Sequence, residues 1–418
     1  MDALNATTSA SYAVGQAAIA APRSVFDTVA DLGPYRDRWQ ARCVAYEHWR
    51  AYYRGTAYNK PELLKALKLY SGIRQIFGPL RRAVRVDVAK IPGGWHLDPG
   101  SEDEGREAVP DVVARAVQEI RSWSRYRASY GRAVLHGATA GEFSLLVVDD
   151  QIAKTVAIVP LRPDEVVTGE LADGTPFGLV LKQGLADRRG RYEYAALYTP
   201  TELRTFRNGD AFDYDGGGST RPNLQGRVPL LLAPYRAGED GVGENAFAGA
   251  AELLDRVNDA ASQALDVVQR NAEPLVVFSG VDEVEMEPGS NAVTLQRPEA
   301  KVYTVAPNLA IDQAVALIDR VLAEFKNVLP QLILDQLVSR NDLAYDTVLT
   351  LCMELIDHVR DVRTHVDTAI ETAERWAIEA GLQMGLFAGA DPAAHRLDPD
   401  RPVIEPGPNA KVALEGAK

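Results

Sequence analysis

The chain has 418 residues, 46% hydrophobic and 25% charged, which suits a soluble globular protein of two or three packed regions and no single core. A net charge of −13 without any long basic block argues against a broad phosphate-gripping surface, and no apolar run approaches the roughly 18 to 20 residues of a membrane span. Cys43 and Cys352 alone exclude a disulfide framework and a Cys-based zinc site, and they fit synthesis in a reducing cytoplasm.

The first residues, MDALNATTSASYAVGQAAIAAP, carry Asp2 and no basic start, so residues 1–31 read as a flexible arm and not as a secretory signal. Trp39, Cys43, Tyr46, Arg50 and Tyr53 recur at three- and four-residue steps, predicting a helix over 35–53 that Gly55 ends. Its aromatic stretch YEHWRAYYRGTAY suits core packing better than base stacking. A second helix follows Pro61, with Gly72 and Gly78 as weak points beyond it, and another covers 110–130. From Arg132 to Thr205, the runs AVLHGA, EFSLLVVDD, KTVAIVPL, FGLVLKQG and YEYAALYT, separated by Gly, Pro and Asp, predict a small antiparallel sheet. The Gly-rich stretch 208–226 reads as a mobile surface loop.

Three helical stripes dominate the second half. Leu254, Val257, Ala261, Leu265, Val268 and Ala272 form the first. A turn-rich β excursion, with LVVF and KVYTV around EMEPGSNAV, leads to the second stripe of Ile311, Val315, Ile318, Leu322 and Phe325, which Pro330 ends or kinks. The third runs Val348, Leu351, Leu355, Val359, Val362, Val366, Ile370, Ala373 and Ala377, close to the 3.6-residue repeat. Beyond Gly389, Pro, Gly, Ala and Asp predominate, and a disordered tail is expected.

Catalytic signatures do not emerge. The six histidines show no HExxH spacing, and His358 and His365, seven apart on one helical face, read as surface or intersubunit residues. No GxSxG elbow or P-loop is present. Gly241-Val-Gly243-Glu-Asn-Ala246 imitates a dinucleotide loop, but such a unit puts its acidic ribose ligand about 20 residues after the glycines, whereas Asp282 comes about twice as far along, after an overlong helix. The glycines suit a chain turning into a helix.

The order of these elements resembles the portal proteins of long-tailed double-stranded DNA bacteriophages, over about residues 32–381. AYYRGTAY followed by LYSGIRQIFGPLRRAVRVDVAKIPGGW is similar to the family's opening helix and entry to the wing, and YRASYGRAVLHGATAGEFSLLVVDD to the helix leading into the wing sheet. GRVPLLLAPYRAGEDGVGENAFAGAAELLDRVNDAASQALDVVQRNAEPLVVFSG, with its Asp-Arg-x-Asn-Asp centre, resembles the strand, open loop and first stem helix.

The resemblance implies an α+β, portal-like fold. It would comprise the wing at 32–250 (helices plus antiparallel sheet), a first stem helix at 251–273, a clip at 274–308, a second stem helix at 309–329, a tunnel loop at 330–347 and a long wing or spine helix at 348–388. With 389–418 as a disordered tail, little or no crown is expected. It further implies a non-enzymatic ring, usually dodecameric in the family, at the portal vertex of the virion's capsid. Such a ring is made in the host cytoplasm, needs no cofactor and no membrane, and passes double-stranded DNA non-specifically during packaging and ejection. Its partners would be terminase, a head–tail adaptor, and the major capsid and scaffolding proteins.

Candidate channel residues are Asp312, Asp319, Arg320, Glu324, Ser339, Arg340 and Asn341, and Arg340 is the only cation in 330–347. Asp282, Glu283, Glu285 and Glu287 are candidates for partner docking at the clip, and Val257 and Leu265 for ring closure. The plainer alternatives are solvated or salt-bridged helix faces and an ordinary helix–helix connection at 330–347. Two other functions stay open: a nucleotide-binding enzyme using Gly241 to Ala246, and another phage head protein such as an adaptor or minor capsid component.

Overall fold

The computed structural model describes residues 24–59, 61–92, 95–100, 107–187, 190–214, 216–238, 242–272, 275–279, 301–305, 311–333, 347 and 350–403. The fold mixes helix and antiparallel sheet, an α+β arrangement. The chain divides into two compact units: Met1–Ala57 with Pro79–Ala248 and Leu329–Lys418, and Tyr58–Gly78 with Gly249–Val328.

In the first unit, α1 (Val25–Thr28) and α2 (Tyr35–Arg54) come first. Gly55 closes α2 in the left-handed conformation, at φ 74°. Residues 24–31, expected within the flexible arm, are instead ordered: Val25 and Phe26 are buried, and the Glu193 carboxylate accepts from the Val25 N–H at 2.9 Å. Helices α4 (Leu80–Lys90), α5 (Asp111–Trp123) and α6 (Tyr126–Ala140) follow, with α3 (Pro61–Ala66) lying in the other unit. AVLHGA, expected as a strand, belongs to α6. Gly137 there lets the helix lie against Tyr235 and Phe143, where a Cβ would meet Tyr235 at 2.9 Å.

Strands β1 (Glu142–Asp150), β2 (Thr155–Leu161) and β9 (Leu230–Pro234) make a three-stranded sheet in the order β2-β1-β9. Strands β3 (Val166–Glu170), β4 (Pro176–Asp187), β5 (Gly190–Tyr198), β6 (Glu202–Arg207) and β7 (Asp210–Ala211) follow one another in the larger sheet, with β8 (Thr220–Pro222) also on β6. The Gly-rich stretch is therefore partly sheet and no free loop. β4 reads as a continuous apolar run because both of its faces are covered. Leu179 and Leu181 join Ala195, Leu197, Phe26 and Trp39 on one side, and Val180 joins Ala196, Leu146, Leu161 and Leu230 on the other.

Sheet edges are plugged by side chains. The Tyr35 hydroxyl donates to the Glu170 carbonyl (2.6 Å) and accepts from its N–H (3.0 Å), and Ser124 Oγ accepts from the Ile158 N–H at 2.8 Å on β2.

A long helix, numbered α9 below (Met353–Gln383), buries Leu355, Val359, Val362, Val366, Ile370, Ala373 and Ala377. Its stripe is interrupted at the start: Thr350 and Leu351 are helical, with Leu351 exposed, but Cys352 is non-helical and α9 begins only after it. The stretch 389–403, expected to be disordered, is strapped to α9. Arg401 pairs twice with Asp367 at 2.7 Å, Glu371 accepts from the Leu397 N–H at 2.8 Å, and His395 is fully buried. Low hydrophobicity suggested disorder, but buried arginine and histidine contacts hold the segment.

The second unit contains α3, α7 (Ala251–Ala272), β10 (Leu275–Ser279), β11 (Lys301–Val305) and α8 (Ile311–Val328). β10 and β11 pair antiparallel from Leu275↔Val305 to Ser279↔Lys301, so the chain leaves α7 along one strand and returns along the other into α8.

Candidate functional site

In the second unit the polar side of α7 holds the segment 58–78. Asn258, fully buried, accepts from the N–H groups of both Ile76 and Phe77 at 2.8 Å and donates to the Phe77 carbonyl at 3.1 Å. Asp255 accepts from the Tyr58 hydroxyl (2.9 Å), Asp259 from the Tyr70 N–H (2.8 Å) and Asp266 from the Tyr70 hydroxyl (2.5 Å). The Asp-Arg-x-Asn-Asp motif thus pins a neighbouring stretch of the same chain.

The apolar stripe of α7 is covered over its first half only. Leu254 and Val257 are buried, Val257 at 2% exposure, whereas Leu265 is 39% and Val268 43% exposed. On α8 the pattern is reversed: Phe325 is buried near the helix end, and Val315, near its start, is 48% exposed. Since the two helices run in opposite senses from the hairpin, the bare halves are the ends next to β10 and β11. An apolar stripe left in water at one end of a two-helix unit is a surface that association would cover.

Of the residues singled out from sequence, Leu265 lies on this bare stretch. Val257 does not: it is closed off within its own chain and has no face to offer a neighbour. Asp319, Arg320 and Glu324 stand exposed on α8. Asp312 lies on α8, but its side chain is outside the described residues, as are Asp282, Glu283, Glu285, Glu287, Ser339, Arg340 and Asn341.

The first unit carries two buried polar clusters that sequence reasoning missed. In one, Glu374 accepts from Arg121 at 2.7 and 3.1 Å and from the Tyr130 hydroxyl at 2.8 Å, with His395 Nε2 at 2.8 Å. Burial alone would raise this carboxyl, but Arg121 and His395 outweigh it and hold it at about 2. In the other, Asp87 Oδ2 accepts from the Tyr235 hydroxyl (2.8 Å) and the Gln331 amide (3.0 Å), and Asp87 Oδ1 lies 3.2 Å from His358 Nε2. His358, expected at a surface, thus faces inward. The only sequence signal was a polar residue beside an apolar helical stripe, a weak one.

Residues 242–246 lack the setting of a dinucleotide loop. β9 before them is an antiparallel edge strand, where such a loop needs a parallel βαβ unit, and the Gly243 backbone packs so closely on Gly141 that neither has room for a Cβ. The Cys43 thiol is pushed up to about 12 by burial and the nearby Asp164, which keeps it unreactive. Among the described residues no group of three or more His, Cys, Asp and Glu side chains is placed to hold a metal ion, and no helix is long and apolar enough to cross a membrane.

No model of a known protein family matches the chain, and no curated protein matches it.

Proposed function

We propose that the chain is a phage portal protein, a non-enzymatic subunit that closes into a ring at one capsid vertex and forms the channel for DNA packaging and ejection. The observation that carries this reading is the helix–hairpin–helix of α7, β10, β11 and α8, with Leu265, Val268 and Val315 left bare beside the hairpin. A ring needs a heterologous contact that closes on rotation, and such a stripe supplies an apolar face to a neighbouring copy. The order of elements, antiparallel sheet before the helix–hairpin–helix and a long helix after it, supports the same reading.

In this reading the mixed charges Asp319, Arg320 and Glu324 face the channel or a neighbour. Duplex DNA carries a negative charge about every 1.7 Å, so a mixed lining lets it slide where a strongly basic one would grip. Arg340, one per subunit, supplies brief phosphate contacts, and the acids Asp282, Glu283, Glu285 and Glu287 dock terminase and later the adaptor. The major capsid and scaffolding proteins would be its further partners at the capsid vertex.

Leu265→Asp combined with Val268→Asp tests the interface, since both side chains are exposed in the single chain and their loss leaves its core intact. Light-scattering mass should fall from a ring to a single subunit with unchanged circular dichroism. A ring of unchanged mass would place the interface elsewhere.

A further inference from the structure

We infer that Asp87, Gln331 and His358 form a proton-governed latch that holds the turn Pro330–Leu332 to helix α4 and lets it go when His358 gains a proton. The inference does not depend on the proposed function, because it concerns contacts within the first unit alone.

Three groups meet there in a triangle. The Gln331 amide nitrogen lies 3.0 Å from Asp87 Oδ2 and 2.9 Å from His358 Nε2, and His358 Nε2 lies 3.2 Å from Asp87 Oδ1. Asp87 and Gln331 are fully buried, and the Gln331 amide oxygen has no hydrogen-bond partner among the described residues. One side of the triangle is always satisfied, since the amide donates to the carboxylate. The other two make opposite demands. Gln331 can donate to His358 only if Nε2 is bare, and His358 can donate to Asp87 only if Nε2 carries hydrogen.

A neutral imidazole meets the first demand by keeping its hydrogen on Nδ1, and the amide then spends its two N–H groups on Asp87 and His358. An imidazolium has hydrogen on both nitrogens. Its Nε2–H pairs with Asp87 and confronts the amide N–H groups. Turning the amide over does not help, because its oxygen would then face the carboxylate. Gln331 must therefore leave, and the turn loses its side-chain tie to α4.

The charged and titratable groups around His358 come from three elements. From α4 comes Asp87, and from the stretch after β9 comes Tyr235, whose hydroxyl stays protonated because burial and Asp87 hold it well above its ordinary range. On α9 itself Glu354 and Asp361 lie one turn to either side, and Asp361 is paired with Arg236 at 3.0 Å. Pro330–Leu332 brings no charge of its own.

The test is hydrogen–deuterium exchange on the full chain at about pH 8 and about pH 6, the span in which imidazoles titrate. The amides of Leu332 and Ile333 are compared with those of Leu179 and Ala195 in the large sheet, each corrected for intrinsic exchange at that pH. At the lower pH the turn amides should exchange about fivefold faster, the factor equivalent to one ordinary hydrogen bond, while the sheet amides stay unchanged. His358→Gln should abolish the difference. Equal corrected rates in the wild type, or the same rise in His358→Gln, would overturn the latch. Nitrogen chemical shifts of His358 in the unmodified protein give a reading free of any variant: Nε2 should be bare at about pH 8, and a hydrogen on it there would refute the mechanism.

Discussion

Glu374 is a fully buried carboxylate kept ionised by Arg121 and His395, and His136 is a partly buried imidazole kept neutral, pushed down to about 4 by desolvation and then by Arg50. Both make stability depend on pH, and with the same sign. The folded chain resists protonating His136, so this contribution is complete above its ordinary 6.5 and is lost as pH falls towards 4. Glu374, at about 2 against 4.5, contributes fully above 4.5 and is lost as pH falls towards 2. Urea midpoints should therefore decline in two successive stages on acidification, and His136→Gln should flatten the upper one. An unaltered slope between 6.5 and 4.5 in that variant would discount His136. Neither residue announced itself in the sequence. Glu374 sits one place after Ala373 of the apolar stripe, and His395 lies in a Pro- and Ala-rich stretch. The partners of Glu374, Arg121 on α5 and Tyr130 on α6, lie more than two hundred residues away, which local periodicity does not record.

Helix α7 was legible because the spacing of Leu254, Val257, Ala261, Leu265 and Val268 is a local property of the chain. Which half of that stripe is covered was not, since its cover comes from distant residues, and so Val257 and Leu265 looked alike. The Gly-rich stretch hid β7 and β8 for a related reason: strands of two and three residues carry no period and exist only by pairing with β6. Asn258 ties the segment 58–78 to α7, accepting from two backbone N–H groups and donating to the Phe77 and Leu254 carbonyls. Asn258→Ala should cost about 1 to 3 kcal/mol by stranding those N–H groups, with faster proteolysis near Ile76 and Phe77. Asn258→Asp keeps an acceptor and should recover part of the loss. An Ala variant with the wild-type urea midpoint and proteolysis pattern would show the anchor to be idle.

For the molecule as a whole, the α+β class follows from the change of period along the sequence, strands before long helices. The stretch 389–403 departs from expectation because arginine–carboxylate pairs and a buried histidine, and no apolar run, bind it to α9. The central proposal concerns an apolar stripe beside a hairpin that the single chain leaves exposed and that further copies would cover in a ring. Negative-stain images of the purified full chain test it most directly. The expected result is annular particles with a central hole, whose class averages show rotational symmetry. A field of separate single-subunit particles, at concentrations where other rings are stable, would contradict the ring.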